Sequence, residues 1–263
     1  MGSATREALA EATAKLTALS GVDMATGEQL FAAGRALGES GQLRAALADP
    51  SADASGKQVL VARVFAELSP VTVELLQAIA AARWSNQDDL LAGVEEIAIR
   101  ATAASAPATV NIVGELFSFG SAVTSDSELE LAVGSKLGSP KAKAQLVNRL
   151  IGAKASAQTV AILEHLVQQP RGRRIAELLR TASSIVADQA GLAVATVSTA
   201  VPLTSAQLER LRVGLAAQFK RDLQINQVID PSVLGGLRVQ VGDDVIDGSI
   251  ASKLNDLRLQ LAG

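Results

Sequence analysis

Several residue types are missing or scarce in this chain, and each absence excludes a kind of chemistry. Cysteine is absent, which excludes disulfides, thiolate zinc sites, iron–sulfur clusters and a cysteine nucleophile. A single histidine excludes metal sites built from several imidazoles. Tyrosine is absent and aromatic residues make up 2% of the chain, so platforms that stack nucleic-acid bases are not expected.

The chain also lacks a large excess of positive or negative charge, and it lacks nucleotide-binding loops. The 24 basic and 27 acidic residues leave a net charge of −3, which argues against a dedicated nucleic-acid binder. Neither the phosphate-binding loop G-x-x-x-x-G-K-[ST] nor the dinucleotide fingerprint G-x-G-x-x-G occurs, so no cofactor is predicted. A signal-peptide pattern and a long apolar run are also missing, so we expect the protein to meet a membrane only through a partner.

Most of the chain shows the pattern of short amphipathic helices. Alanine and leucine, which favour helix, are abundant, and apolar residues recur at spacings of three and four. In the first part of the chain the predicted helices cover residues 3–19, 26–37, 42–47, 56–68, 71–83 and 87–102. Helices of this length with short connections are typical of a compact bundle.

The helical pattern then repeats further along the chain. An offset of 86 residues aligns Leu30 with Leu116, Phe31 with Phe117, Gly34 with Gly120 and Lys57 with Lys143. One added residue moves the offset to 87, which aligns Ser69 with Ser156 and Thr72 with Thr159. Such self-similarity indicates duplication. We therefore expect two related helical bundles, over residues 1–106 and 107–190.

After Gly191 the pattern changes. Residues 192–201 are rich in β-formers and residues 237–241 alternate apolar with polar, so both predict strands. Between them, Thr204 and Gln207 have the spacing of a capping box at the start of a helix. The order strand, helix, strand, strand, helix predicts a small α+β domain over residues 191–263. The predicted fold class is thus mainly α, with two related bundles followed by this domain.

The polar clusters leave their roles open. His165 is interpreted as a structural histidine rather than a chemical group, because no motif supplies a nucleophile beside it. The basic cluster of Arg171, Arg173 and Arg174 fits a solvated loop or a surface for an acidic partner. Trp84 fits a core anchor or an interface residue, with the anchor favoured. Structural roles are favoured for the acidic pairs Asp88-Asp89, Glu95-Glu96 and Asp243-Asp244, with Asp88-Asp89 at a helix start and Asp243-Asp244 in a turn.

The most specific segment runs from Asp230 to Ile250, with the sequence DPSVLGGLRVQVGDDVIDGSI. It closely resembles the C-terminal signature of the delta subunit of F-type ATP synthases, a relative of the mitochondrial oligomycin-sensitivity-conferring protein. The signature residues are Gly235, Gly236, Gly242, Asp247, Gly248 and Ser249. The glycines suit tight turns, and Asp247 and Ser249 suit the cap of a final helix. The additional N-terminal bundle looks like the long actinobacterial form of the family.

The resemblance implies a non-catalytic, structural subunit of the peripheral stalk, or stator. Such a subunit ties the catalytic head to the membrane proton channel, so that proton-driven rotation is coupled to ATP synthesis. The implied place is the cytoplasmic face of the cell membrane. The implied partners are the N-terminal helices of the alpha subunits and the C-terminus of the b-subunit stalk. The alternative is a helical-repeat adaptor that binds amphipathic helices in another complex.

The resemblance also implies where the partners bind. In the family, the alpha-subunit helix lies in a groove between the first and fifth helices of the bundle. The corresponding candidates in the first bundle are Leu9, Ala12, Leu16, Leu76, Ile79 and Ala80, and those in the second are Leu163, Leu166 and Val167. Candidates for b-subunit binding on the predicted last helix are Leu254, Leu257 and Leu261. The alternative for each residue is a plain core position.

Overall fold

Helices follow one another along the first two thirds of the chain. The computed structural model describes residues 2–135, 138–233, 235–242 and 244–248. The helices in this part are α1 Ser3–Ala18, α2 Met24–Glu39, α3 Gly41–Ala48, α4 Ala54–Val64, α5 Pro70–Ala81, α6 Gln87–Ala104, α7 Ile112–Ser125, α8 Ser127–Gly134, α9 Pro140–Ile151, α10 Ala157–Gln168 and α11 Ile175–Gln189. The chain divides after Ile185 into two compact units, which we describe separately.

Capping side chains set where these helices begin. Ser69 and Ser156 each accept a hydrogen bond from the backbone of the third residue of their helix, and Asn86 does the same for α6. These bonds satisfy amides that have no partner within the helix. The predicted helix over residues 56–68 starts earlier, because Asp53 caps α4, and ends earlier, because Phe65 leaves the helical conformation.

The helix bounds follow the offsets of the sequence repeat. The limits of α3 recur in α8 after 86 residues, and those of α5 recur in α10 after 87 residues. Neighbouring pairs recur too, since α9 packs on α10 as α4 does on α5, and α7 packs on α8 as α2 does on α3. We call α1–α6 the first copy and α7–α11 the second copy. The predicted bundle limits at residues 106 and 107 stay a prediction.

Helix α6 is surrounded by other helices. It packs against α1, α2, α3 and α5, and also against α10 of the second copy. Its buried residues lie on several sides, among them Leu90, Gly93, Glu95 and Arg100, as in other helices that are enclosed by their neighbours. Beside α10, α6 occupies the place that α1 occupies beside α5.

The second unit contains a four-stranded sheet in its described part. The elements are β1 Ala193–Thr199, α12 Ser205–Phe219, β2 Leu223–Ile229, β3 Leu237–Val241 and β4 Asp244–Asp247. The strand order is β2-β1-β3-β4, with β1 and β2 parallel and the other pairs antiparallel. A parallel pair needs a crossover, which α12 supplies. The capping box of Thr204 and Gln207 is confirmed.

One face of this sheet forms a small apolar core with α12. Ala195, Val197, Val239 and Val241 of the sheet pack with Leu215 of the helix. The fold class predicted from the sequence, mainly α with a small C-terminal α+β domain, is confirmed. The predicted final helix lies outside the described residues. No helix of the described part is long and apolar enough to cross a membrane.

Candidate functional site

The first predicted groove lies where α1 packs against α5. Of its candidates only Leu9 is partly exposed. The buried candidates are Ala12, Leu16, Leu76, Ile79 and Ala80. An ion pair between Lys15 and Glu74 joins the two helices at the surface. On α5, Ala78 and Ala81 follow Glu74 at helical spacing and are partly exposed. If the groove binds a helix, Leu9, Ala78 and Ala81 are candidates for its accessible rim.

The corresponding face of the second copy is in contact with α2. Leu163, Leu166 and Val167 are buried, as are their counterparts Leu76, Ile79 and Ala80 in the first copy. Beside them on α10, the ring of His165 stacks on Phe31 of α2, with ring centroids 4.3 Å apart and planes 19° from parallel. The predicted partner role of all these groove residues stays a prediction.

A polar link also joins α10 to α2. The Gln169 amide Nε2, just after α10, donates a hydrogen bond of 3.2 Å to the carbonyl oxygen of Gly34. A Cβ atom at Gly38 would collide with the same amide, so glycine permits this close approach. The link therefore holds the end of α10 against the middle of α2.

A buried ion cluster joins the copies at the end of α10. The Glu95 carboxylate, on α6, accepts hydrogen bonds from Arg171 Nη2 at 2.9 Å and from Arg173 Nη2 at 2.8 Å. Arg171 and Gly172 both have positive φ, 49° and 78°, which turns the loop back toward α6. Neither interpretation of the basic cluster holds for these two arginines, because their partner lies within the chain. Arg174 is exposed.

The charge of this cluster is set by burial and by the two guanidinium groups. Burial alone would raise the pKa of Glu95, but the contact with His165 and the charges of Arg171 and Arg173 outweigh it and lower the pKa to about 2. Burial lowers the pKa of His165, and the neighbouring Glu95 opposes this only in part. Its Nε2 lies 3.5 Å from Glu95 Oε2, and neither ring nitrogen has a hydrogen-bond partner among the residues that the structure describes. At neutral pH, Glu95 is charged and His165 is neutral.

In the first copy, a side chain of the second helix caps the fifth. Gln29 Oε1 accepts hydrogen bonds from the Ser69 backbone amide at 2.9 Å and from Thr72 Oγ1 at 2.8 Å. Ser69 in turn caps α5. This arrangement fixes the start of α5 against α2.

The second copy repeats this cap with a carboxylate. Glu115 Oε2 accepts hydrogen bonds from the Ser156 amide at 3.0 Å and from Ser156 Oγ at 2.6 Å, and also from the Thr159 hydroxyl. Partial burial would raise the pKa of Glu115, but these hydrogen bonds lower it overall. The two copies therefore use one geometry with different charge.

Trp84 and the acidic pairs have structural roles. Trp84 is buried and donates from Nε1 to the Ile79 carbonyl at 2.7 Å, which confirms the anchor interpretation. A Cβ atom at Gly93 would collide with the indole ring, so α6 accommodates it only with glycine there. Asp88 and Asp89 lie in the first turn of α6 as predicted. Glu95 is the exception, because the sequence assigned it no partner; the signal that could have found it is that Leu91 and Ile99, one helical turn away on either side, are apolar.

The signature glycines shape the sheet of the second unit. Gly235, Gly236 and Gly242 all have positive φ, between 59° and 78°, which confirms their turn roles. The Gly248 amide donates to the Leu237 carbonyl at 2.9 Å and closes the hairpin of β3 and β4. Asp247 ends β4, opposite Arg238. The predicted cap at Ser249 and the candidates Leu254, Leu257 and Leu261 lie outside the described residues.

These features define a helical scaffold whose polar clusters join its own helices and which carries a small α+β module. The family model for the ATP synthase delta (OSCP) subunit matches residues 97–261. The ATP synthase subunit delta of Leifsonia xyli subsp. xyli is 61% identical over 264 residues, covering 100% of both chains. That of Streptomyces griseus subsp. griseus is 38% identical over 271 residues, again covering 100% of both.

A solved structure is also similar. A chain of the cryo-EM structure of the Toxoplasma gondii mitochondrial ATP synthase hexamer is 25% identical, with a TM-score of 0.40. The similarity covers 64% of this chain and 96% of that one. On the family match and the full-length relatives, the chain belongs to the ATP synthase delta (OSCP) subunit family, whose place is the peripheral stalk of F-type ATP synthases.

Proposed function

We propose that this chain is a non-catalytic, structural subunit of the ATP synthase stator, at the cytoplasmic face of the cell membrane. It links the catalytic head to the membrane proton channel, so that proton-driven rotation is coupled to ATP synthesis. Membership of the delta family along the whole chain is the observation that carries this proposal. The described polar clusters agree with it, since Glu95 and Glu115 are engaged in bonds between helices.

The proposed partner of the helical unit is the N-terminal helix of an alpha subunit. An amphipathic helix laid in an apolar groove is a common recognition mode. The rim candidates Ala78 and Ala81 support this proposal, because small, partly exposed side chains let a second helix approach closely. The buried candidates Leu76 and Ile79 would form the floor beneath that rim.

The proposed partner of the second unit is the C-terminus of the b-subunit stalk. Leu254, Leu257 and Leu261 support it, because their spacing in the sequence predicts one apolar face of a helix. A helical-repeat adaptor of another complex is not favoured, because the family match extends across both units.

Reconstitution tests the proposed function. Membranes from the same organism, stripped of this subunit and of the catalytic head, are recombined with purified head, with or without the full chain. We expect ATP synthesis driven by a proton gradient only when the chain is added. The chain alone is expected to hydrolyse no ATP. ATP hydrolysis by the chain alone, or coupling that returns without the chain, would contradict the proposal.

A further inference from the structure

We infer that the first copy fills the second copy's own helix-binding face, so that the chain offers one open face of this kind, between α1 and α5. The inference rests on the proposed function, because the occupant of the open face is the alpha-subunit helix. What is new is that the corresponding face of the second copy is occupied by a helix of the first copy. We call this the self-occupied face. A duplicated bundle would otherwise be expected to bind two helices.

The second copy obtains its first helix from the first copy. Moving α1 by the repeat offset of 86 residues places it over residues 89–104, within α6. The pairing of α1 with α5 recurs as the pairing of α6 with α10. The family match also begins at residue 97, inside α6. The face between first and fifth helices in the second copy is therefore the face between α6 and α10.

Helix α2 lies against α10 in this second face. Phe31 stacks on His165, Gly34 accepts the Gln169 hydrogen bond, and Gly38 makes room for the same amide. The three α2 residues are spaced at i, i+3 and i+7, so they lie on one side of the helix. The surface of α2 that packs into this face is therefore one large ring, Phe31, followed by two glycines, Gly34 and Gly38.

The open face differs from the covered one at a corresponding position. Ala78 of α5 aligns with His165 of α10 at the offset of 87. Ala78 is partly exposed, whereas His165 is 1% exposed. By analogy with α2, the occupant of the open face is an amphipathic helix that places a large apolar side chain over Ala78, with small residues beside it.

The ion cluster makes the self-occupied face hard to open. Glu95 of α6 holds Arg171 and Arg173, which follow α10, so the cluster fixes the two helices that line this face, while α2 is held in it by packing on α6 and by the Gln169 hydrogen bond. Separated, the carboxylate and guanidinium groups would lose partners they hold in a largely dry site. An incoming helix therefore meets less resistance at the α1–α5 face.

A reversible crosslink distinguishes the two faces. The natural chain has no cysteine, so Gly38→Cys with Gln169→Cys introduces one thiol pair. A Cβ at Gly38 would lie 3.3 Å from Gln169 Cδ, and titration of free thiols establishes that the introduced pair closes on oxidation. The probe is a labelled peptide of the alpha-subunit N-terminal helix from the same organism. We expect one peptide per chain by calorimetry, and equal anisotropy-derived affinity with the disulfide closed or reduced.

Charge substitutions supply the complementary test. Ala78→Glu is expected to weaken peptide binding by at least about tenfold, because it puts a carboxylate in an apolar contact. Leu9→Glu is a second variant on the same rim. Ala14→Glu, on the exposed side of α1, is the matched control and is expected to bind normally. Melting curves establish that each variant is folded.

The outcomes separate this inference from the proposed function. Two peptides per chain, or binding lost on oxidation and kept in Ala78→Glu, would overturn the inference and leave the proposed function standing. If the unmodified chain binds no peptide, the proposed alpha-subunit contact is wrong and the inference falls with it.

Discussion

Helices α7–α11 of the second copy follow the order of α2–α6 in the first copy, yet corresponding residues have different surroundings. In the first copy, Phe31 is buried against the second copy; its counterpart Phe117 is only partly buried. In the second copy, His165 is enclosed, while its counterpart Ala78 keeps part of its surface. The contact between copies is thus asymmetric: one copy contributes its second helix and the other its fifth. Repeated sequence sets repeated local structure, while burial depends on what lies next to each copy.

The largest expected effect concerns the two phenylalanines. Phe31→Ala removes a buried ring that packs on His165, and is expected to lower the free energy of unfolding by about 3–5 kcal/mol. Phe117→Ala is the matched control and is expected to cost less, because its ring is already partly exposed. Urea unfolding followed by circular dichroism measures both. Equal losses would show that the copies are not packed asymmetrically at this position.

The ion cluster is the next target. Glu95→Ala leaves Arg171 and Arg173 without their carboxylate, and we expect a loss of about 3 kcal/mol, the low end for a buried pair because both arginines are partly exposed. Glu74→Ala breaks the exposed pair with Lys15 and is expected to cost about 1 kcal/mol or less. The same unfolding experiment compares them. A loss at Glu95 no larger than that at Glu74 would rule out the cluster as a clamp.

Acid sharpens the comparison through His165, which has no titrating counterpart at Ala78. Burial lowers the pKa of folded His165 below its usual 6.5, so the unfolded chain binds a proton first and stability falls as the pH drops below about 6.5. The loss is expected to reach at most about 1.4 kcal/mol per pH unit. His165→Phe keeps a ring on Phe31 and should remove this slope. An unchanged slope in that variant would exclude His165 as its source.

Glu95 acts in a lower pH window. The pKa of Glu95 in the folded chain is about 2, below the usual 4.5. Its contribution to the free energy of unfolding is therefore complete above about pH 4.5 and is lost as the pH falls toward 2. Below pH 4.5, stability should therefore keep falling in His165→Phe but fall less steeply in Glu95→Gln.

The smallest expected effect comes from exchanging the caps. Glu115→Gln gives the second copy the neutral acceptor that Gln29 supplies in the first, and is expected to cost about 0.5–1 kcal/mol because charged hydrogen bonds are stronger. Gln29→Glu is expected to change stability in the opposite direction. Glu130→Gln, at an exposed site, is the control. No difference between Glu115→Gln and this control would show that the charge at the cap is immaterial.

Local signals explain how much of the fold was predictable. Ser69 and Ser156 mark helix starts, and Thr204 with Gln207 marks another, because a cap depends on a few neighbouring residues. The repeat was visible because equivalent helices keep their spacing. Gly235 and Gly236 predicted a turn that their positive φ values confirm.

The candidate site was less predictable because it depends on contacts between distant residues. The spacing of Arg171 and Arg173 looks like an ordinary basic loop, and nothing nearby in the sequence indicates that Glu95 receives them. Their pairing follows from two left-handed residues and from the packing of α6 beside α10, neither of which has a local pattern. Likewise, apolar periodicity predicts that Leu76 and Ile79 lie on one face of a helix. It does not tell whether that face is the floor of a groove or part of the core.

A helix shared between copies has a mechanical consequence. Two bundles joined by a linker would bend at that linker. A subunit that resists rotation would then have to straighten its linker before it transmitted force. Here α6 spans 18 residues, about 27 Å, and packs against helices of both copies. If the proposed partner binds at α1 and α5, force applied there passes to α10 through the continuous hydrogen-bonded helix α6. A chain cut at residue 106 would deprive the second copy of its first helix, whereas a cut just before Asn86 would leave it in place.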